Sequence, residues 1–323
     1  MNKCGALAAR VTWRDVLGGW KVRWGIGRMR YRVAPGLYRI GLADSNSPVL
    51  VTANYKLTVD TVRRSLAGLN VWLLVLDTKG VNVWCAAGKG TFGTPELVRR
   101  IQAANLSEVV KHRELVLPQL GATGVAAHEV KRATGFSVHY GPVRARDIAA
   151  YLAAGMQATP AMRRVTFGWR DRLAVAPVEL TATLRPLLVV LALVAALDVL
   201  RHHRLTPQTL AGMAPFLAAA LTGGLLVPLL LPWLPFRTFA LKGAVAGALV
   251  AAALLFSLPL GAVEAAGVAL LVVAIDSYMA MTFTGSATFT TLAGVRLEVR
   301  RALTPILVAA GAGAILRVAG AFL

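Results

Sequence analysis

The sequence predicts two parts: an α/β domain of Rossmann-like type, followed by an all-α membrane domain of five transmembrane helices. The first observation is composition, because 56% hydrophobic residues and a mean hydropathy of +0.61 exceed the values of ordinary soluble proteins. The second is that this apolar excess lies almost entirely after Pro177. The third is an alternation of short apolar runs with amphipathic stretches from Val49 onward, which is typical of strand-helix units and a largely parallel sheet.

The length of 323 residues also fits about two domains. We expect a basic aromatic segment at residues 1–46, the α/β domain at 47–176 and the transmembrane domain at 177–323. The first ten residues lack the long apolar core of a secretory signal, so we expect the α/β domain to stay in the cytoplasm.

Within the α/β domain, continuous apolar runs with β-branched members predict strands, and amphipathic stretches predict helices. The predicted strands are residues 49–53, 71–76, 115–117 and 136–139. The first predicted helix starts at Thr58 or Asp60 and ends at residue 69, and three more cover residues 94–104, 126–133 and 146–152. The helix at 94 has the clearest start, with Thr94 as the expected N-cap and Pro95 as the first helical residue.

Five later stretches approach the roughly 20 apolar residues that cross a bilayer. They are residues 184–200, 210–231, 239–258, 263–283 and 302–323. Most short loops rich in Lys and Arg fall on the side of the N-terminal domain, and the exception is the loop with Arg201 and Arg204. Because five spans are an odd number, Leu323 is expected on the other side, outside the cytoplasmic membrane. Asp276, with Ser277 and Tyr278, is the one possible polar pathway, but no stretch has the dense polar lining of a transporter.

The N-terminal segment mixes Trp13, Trp20 and Trp24 with many basic residues. This mixture suits either single-stranded nucleic acid or an anionic lipid surface. No nucleic-acid-binding motif accompanies it and the chain carries membrane spans, so we expect membrane lipids and no nucleic acid.

Only two cysteines, Cys4 and Cys85, are present, which excludes a disulfide framework and a protein-held iron-sulfur cluster of the usual four thiolates. Cys85 follows a predicted strand in a glycine-rich turn, near Lys89 and upstream of a helix N-terminus. Such surroundings favour the metal-binding thiolate form. The alternative is a small buried hydrophobic residue.

The same segment invites two nucleotide-binding interpretations. Gly88, Gly90 and Gly93 formally match the G-x-G-x-x-G fingerprint, but Lys89 and Phe92 are unusual inside it. A Walker A loop is excluded more firmly, because its first glycine would stand at Val83 and no Ser or Thr follows the lysine. A nucleotide-binding regulator of a small transporter therefore remains a weaker hypothesis.

The octapeptide at residues 82–89, Asn-Val-Trp-Cys-Ala-Ala-Gly-Lys, resembles the signature of the corrinoid protein of the bacterial mercury-methylation pair. The likeness continues through residues 90–96, and residues 47–58, 117–121, 141–144 and the five C-terminal spans are also similar to that family. The soluble domain of the family is similar to the corrinoid iron-sulfur proteins of acetogenesis.

The resemblance implies a corrinoid-binding α/β domain in which Cys85 is the lower axial ligand of cobalt and the benzimidazole of the cobalamin is displaced. The other octapeptide residues would shape the cap over that face; they are Asn82, Val83, Trp84, Ala86, Ala87, Gly88 and Lys89. No histidine stands in the Asp-x-His-x-x-Gly context that would supply the usual alternative ligand.

It further implies a cobalamin-dependent methyltransferase that moves methyl from methyl-cobalt(III) to mercury(II), giving methylmercury. A donating thiolate would assist by stabilising the cobalt(III) left behind. The cycle would need a ferredoxin-like partner with 4Fe-4S clusters as reductant, and a methyl donor such as a methylated folate, delivered through a methyltransferase. The competing hypothesis is a corrinoid methyl or electron carrier for another physiological acceptor.

Overall fold

The computed structural model describes residues 5–256, 258 and 260–323. Cys4 lies outside them. The chain divides into two compact units, one built from the described residues up to Val22 with Ile26–Val165, and one from Arg23–Gly25 with Thr166–Leu323. The first is an α/β unit and the second is helical, as the sequence predicts.

The α/β unit contains a six-stranded sheet of order β1-β2-β4-β3-β5-β6. The strands are β1 Gly5–Ala6, β2 Gly36–Ile40, β3 Val49–Ala53, β4 Val71–Leu76, β5 Glu114–Leu117 and β6 Ser137–Tyr140. The β3-β4, β3-β5 and β5-β6 pairs are parallel, whereas β2 runs antiparallel to β4 with Tyr38 opposite Leu73. The prediction of a largely parallel sheet is confirmed, but β1 and β2 were not predicted.

Seven helices belong wholly or mainly to this unit: α1 Trp13–Arg23, α2 Lys56–Ser65, α3 Val83–Gly88, α4 Thr94–Ala103, α5 Leu106–Val109, α6 Ala127–Thr134 and α7 Ile148–Ala153. They form two hydrophobic cores. Leu74 and Leu76 of β4 share one core with Leu97 of α4, and the alternate residue Leu73 shares the other with Val59 of α2. Every residue of β4 is buried because side chains from both faces of the strand enter a core.

Two predicted helix starts are wrong. Helix α4 has Gly93 as its N-cap, with Thr94 inside the helix. The Thr94 hydroxyl instead accepts a hydrogen bond from the Ala126 amide at 2.8 Å, so it joins two loops rather than capping. Helix α2 begins at Lys56 after Tyr55, ahead of the predicted Thr58 or Asp60.

The helical unit contains α8 Trp169–His202, α9 Pro207–Leu221, α10 Val227–Leu230, α11 Phe239–Leu255, α12 Ala262–Phe283 and α13 Leu292–Phe322. A π-helical turn, Thr222–Leu226, joins α9 to α10. Within the described part of the chain, four helices are long and apolar enough to cross a membrane; these are α8, the continuous α9-α10 segment, α12 and α13. Helix α11 is also apolar but has only 17 residues. All five predicted stretches are therefore essentially helical, and a fifth crossing remains a prediction.

Asp276, Ser277 and Tyr278 have different surroundings in the structure. Asp276 is fully buried against glycines, and a Cβ at Gly247 would lie 3.0 Å from its carboxylate. Ser277 donates to the Ala240 carbonyl at 2.9 Å, while Tyr278 is exposed. The trio predicted as a possible pathway is thus separated.

Two further acidic residues of this unit, Glu264 and Asp198, have partners. Glu264 is buried and ion-paired with Arg317. Asp198 accepts hydrogen bonds from Thr206 at 3.0 Å and from Thr209. Both are held within the helical packing.

Candidate functional site

Cys85 lies in the first turn of the short helix α3, which follows the loop after β4. The sequence predicted an open glycine-rich turn, and this is corrected to a helix with a side-chain cap. Asn82 is the N-cap, and its Oδ1 accepts a hydrogen bond from the Cys85 amide at 2.9 Å. This bond satisfies an amide that a helix start would leave free, so Asn82 positions the cysteine through its backbone.

The Cys85 side chain is exposed and its thiol is free. The alternative of a small buried hydrophobic residue is therefore wrong. An exposed sulfur on an ordered helix is available to a ligand.

The eight octapeptide residues are brought together as one helical turn and its two caps, and burial divides them into groups. Val83, Ala86 and Ala87 are buried and belong to a core of the unit. Trp84 is half-buried. The exposed members are Asn82, Cys85, Gly88 and Lys89. The buried group anchors the helix, and the others form the surface that a ligand over Cys85 would meet.

The loop before α3 is fixed by Asn54, which follows β3. Its Oδ1 accepts hydrogen bonds from the Gly80 amide at 2.9 Å and the Thr78 amide at 3.2 Å, and its Nδ2 donates to Asp77 at 3.2 Å. Asn54 is 1% exposed. A buried side chain that satisfies several loop groups at once strongly restricts the loop, since leaving them unpaired costs free energy.

Glu96, in the first turn of α4, fixes the end of β4. It accepts the Asp77 amide at 2.8 Å and pairs with Arg100 at 2.9 Å and with Arg99. Burial opposes ionisation of Glu96, but the bonds from Asp77, Arg100 and Arg99 prevail and lower its pKa. The hydrogen bond from Lys79 likewise lowers the pKa of Asp77, so both carboxylates are charged at neutral pH.

The backbone conformation and close packing of the segment after Cys85 explain its glycines without a bound nucleotide. Gly90 has a φ of 78°, a left-handed conformation that favours glycine. A Cβ at Gly93 would lie 2.8 Å from the Gly90 carbonyl oxygen, and one at Gly124 would lie 2.1 Å from the Phe92 carbonyl oxygen. The loop after β5 therefore packs directly on the segment after α3.

The site lies at the carboxyl edge of the parallel strands. Asn54 follows β3, Asp77 follows β4, and Pro118 follows β5, all at this edge. The chain passes from β3 to β4 on one side and then to β5 on the other, so the loops separate at a topological switch point. Open α/β sheets bind ligands at this position.

The residues fit a corrinoid. A corrin ring supplies the equatorial nitrogens itself, so the protein needs to offer only one axial donor, and the exposed thiol of Cys85 meets that need. Within the described ranges, no group of three or more His, Cys, Asp and Glu side chains could hold a bare metal ion. His112 is occupied elsewhere, with Nε2 2.9 Å from the Ser47 carbonyl oxygen.

The fold and site thus define an α/β domain with the exposed thiol of Cys85 at the carboxyl edge of its parallel strands. Residues 27–152 match the protein family described as CO dehydrogenase/acetyl-CoA synthase delta subunit, CdhD. This match covers most of the α/β unit and none of the membrane-type helices.

Curated relatives agree. The chain is 38% identical over 122 residues to the acetyl-CoA decarbonylase/synthase complex subunit gamma of Methanopyrus kandleri, covering 37% of this chain and 26% of the relative. It is 32% identical over 127 residues to the corrinoid/iron-sulfur protein large subunit of Moorella thermoacetica, covering 39% of this chain and 28% of the relative. The chain therefore spans about a quarter of the length of these relatives. The predicted kinship with corrinoid iron-sulfur proteins is confirmed for the α/β unit, and the kinship with mercury methylation stays a prediction.

Proposed function

We propose that this chain is a membrane-anchored corrinoid protein that uses the Cys85 thiolate as the lower axial ligand of cobalt and transfers a methyl group to mercury(II). The observation that carries the proposal is the exposed Cys85 thiol, held by an N-capped helix at the carboxyl edge of the sheet. The homology of the α/β unit to a corrinoid/iron-sulfur subunit supports the cofactor. The resemblance of residues 82–89 to the mercury-methylation signature supports the substrate.

The bound corrinoid would supply a cobalt-carbon bond whose methyl group can leave with the bonding electrons toward an electrophile. Cys85 would donate sulfur electron density on the opposite face, which favours this direction of cleavage. Asn82 would hold Cys85 at a fixed position through its amide. Buried Val83, Ala86 and Ala87 would keep the helix from moving, while Trp84, Gly88 and Lys89 would contact the lower face of the ring.

The chemistry also requires partners. A chain with two cysteines has too few thiolates for the usual iron-sulfur cluster, so a ferredoxin-like protein with 4Fe-4S clusters would be the reductant. The methyl donor would have methyl cation character, as a methylated folate does, and would act through a methyltransferase. The Moorella relative bears both corrinoid and iron-sulfur in its name, which supports such a pairing of functions.

The helices would anchor the site at the cytoplasmic membrane. Five passes, with the corrinoid domain in the cytoplasm and Leu323 outside, follow from the distribution of loop Lys and Arg. Helix α11 would make the fifth pass despite its 17 residues, since lengths near this value still span.

A carrier that delivers methyl or electrons to another physiological acceptor is the second candidate. The homology to a subunit named for an acetyl-CoA decarbonylase/synthase complex favours it, because this relative shares the α/β unit. Both candidates require the same cobalt ligand at Cys85.

The test is methylmercury formation by the purified full chain, loaded with methylcobalamin and supplied with mercury(II). We expect a rate far above that of free methylcobalamin, and loss of this excess in Cys85→Ala. A rate equal to that of free methylcobalamin, with corrinoid still bound, would refute mercury as the substrate and leave the carrier. Protein that binds no corrinoid would refute both.

A further inference from the structure

Helix α1 carries a row of exposed apolar side chains. Trp13, Leu17, Trp20 and Trp24 are spaced by four, three and four residues, so they lie on one side of the helix and its immediate continuation. They are 71%, 42%, 64% and 44% exposed, respectively. Three exposed tryptophans in one row form an apolar patch of the kind that marks an interaction surface.

The opposite side of α1 is fixed to the α/β unit, so the row cannot turn inward. Gly19, on that side, packs close to Leu57. The two oxygens of Asp15 pair separately with Lys56 and Arg63, each at 2.6 Å. The helix is thus held in one rotational setting with its apolar row outward.

Basic side chains flank this row. Residues 10–32 contain seven Lys or Arg residues against one acidic residue, Asp15, which is already paired. Arg14 and Lys21 are exposed along one edge of the row, and Arg28 and Arg30 are exposed in the following segment together with Met29. The partner of the row must therefore combine an apolar layer with negative charge.

An anionic bilayer surface has both properties. Tryptophan concentrates at the boundary between headgroups and acyl chains, and Lys and Arg are attracted to anionic headgroups. The covalent link to a unit with four helices able to cross a membrane keeps α1 beside a bilayer. We propose that α1 lies in the headgroup layer of an anionic membrane, with Trp13, Leu17, Trp20 and Trp24 toward the acyl chains.

This docking would reach the Cys85 loop. The segment after α1 passes Gly80, where an added Cβ would lie 3.7 Å from the Cβ of Arg32 and 3.8 Å from the Met29 carbonyl oxygen. Gly80 is also bonded to Asn54, which positions the loop before Cys85. Membrane contact at α1 would therefore act on a segment that neighbours the loop before Cys85.

The experiment is spin labelling of the full chain in lipid nanodiscs, in a background of Cys4→Ser and Cys85→Ala. One label is placed by Leu17→Cys on the row, a second by Trp24→Cys, and a control by Lys131→Cys on the exposed face of α6. Accessibility is measured to oxygen, which enters bilayers, and to a water-soluble nickel complex, which does not.

With phosphatidylglycerol in the disc, we expect the labels at 17 and 24 to be several-fold less accessible to nickel than the label at 131, and more accessible to oxygen. Discs of phosphatidylcholine alone, or the added pair Arg14→Gln and Lys21→Gln, should reduce this protection. The matched pair Lys131→Gln and Arg132→Gln should leave it unchanged. Nickel accessibility at 17 and 24 equal to that at 131 would overturn the proposal.

Discussion

Asn54 is the side chain on which the shape of the loop before Cys85 depends. It bonds the Thr78 and Gly80 amides and Asp77 from a buried position. Cys85 supplies the donor atom, but Asn54, two elements away in sequence, determines where the loop leading to that donor runs.

Replacement of Asn54 tests this role. We expect Asn54→Ala to lower the free energy of unfolding by about 2–4 kcal/mol, because buried amides lose their acceptor. Corrinoid affinity should fall as well. Denaturation and corrinoid titration of the full chain measure the two effects. Asn46→Ala, at an exposed position, is the control and should change neither; an unaffected Asn54→Ala would contradict the assignment.

Gly90 and Gly135 form a matched pair for separating backbone strain from ligand binding. Both have a φ of 78° and open space where a Cβ would stand. Alanine at either position should cost about 1–2 kcal/mol of stability, since a left-handed conformation disfavours a side chain. Only Gly90→Ala should weaken corrinoid binding, because Gly90 adjoins the Cys85 helix. Equal corrinoid affinities in the two variants would show that Gly90 has no part in the site.

At the residue scale, the sequence predicts Cys85 as the cobalt ligand but does not predict that Asn54 positions the loop before it. Cys85 stands out as one of two cysteines, and its octapeptide is distinctive. A single asparagine after a strand carries no local signal, because its function depends on contacts with residues 77–80 that only folding brings near.

At the scale of elements, α1 is attached to the α/β unit mainly through ion pairs. Asp15 bridges Lys56 and Arg63, and Arg63 is only 7% exposed at its side chain. Burial opposes ionisation of Asp15, but hydrogen bonds from Lys56, Thr12 and Arg63 outweigh it and lower the pKa. The carboxylate therefore stays charged well below neutral pH.

This attachment predicts a pH-dependent stability. The pKa of Asp15 in the folded protein lies below its ordinary value of 3.8. The ionised carboxylate therefore contributes fully to the free energy of unfolding above pH 3.8, and this contribution declines as the pH falls through the pKa of the folded state. We expect Asp15→Asn to cost about 2 kcal/mol at about pH 7, and less at strongly acid pH where wild type also loses the charge. Denaturation of the wild type and of Asp15→Asn at both pH values measures this difference in the free energy of unfolding.

Asp147→Asn is the control for that experiment. Asp147 approaches Arg146 only at 3.9 Å in an exposed pair, so its replacement should change stability by less than about 1 kcal/mol. An equal cost for both variants at neutral pH would contradict the account of α1.

Helix α3 and strand β2 are two of the elements that were not predicted from the sequence. Helix α3 has only six residues and ends at Gly88, a poor helix former, and its start depends on an Asn82 cap that follows the loop bonded to Asn54. Strand β2 is a short alternating run beside many basic residues, and it becomes a strand by pairing with β4. By contrast, β3 and β4 are long apolar runs, and both match their predicted bounds.

At the scale of the whole molecule, the number of crossings determines where the C-terminus lies. Composition alone predicts the apolar helices well, because crossing a bilayer requires length and hydrophobicity. The pairing of Glu264 with Arg317 could not be predicted, since the two residues lie on different helices.

A reporter fused after Leu323 distinguishes five crossings from four. With α11 as a true span, an alkaline phosphatase fusion there should be active outside and a green fluorescent protein fusion should be dark. A fusion between α12 and α13, at residues 287–291, should give the reverse pattern. A cytoplasmic C-terminus would mean that one apolar helix, with α11 the shortest, does not cross.

The central claim is a cobalt-sulfur bond to Cys85, and X-ray absorption at the cobalt edge of the corrinoid-loaded full chain tests it most directly. We expect a sulfur scatterer at about 2.3 Å, by analogy with thiolate bonds to similar metals. That scatterer should be absent in Cys85→Ala, together with a change in the visible spectrum. The control Trp84→Phe should retain it. A cobalt environment without sulfur in the wild-type chain, or one unchanged in Cys85→Ala, would contradict the account.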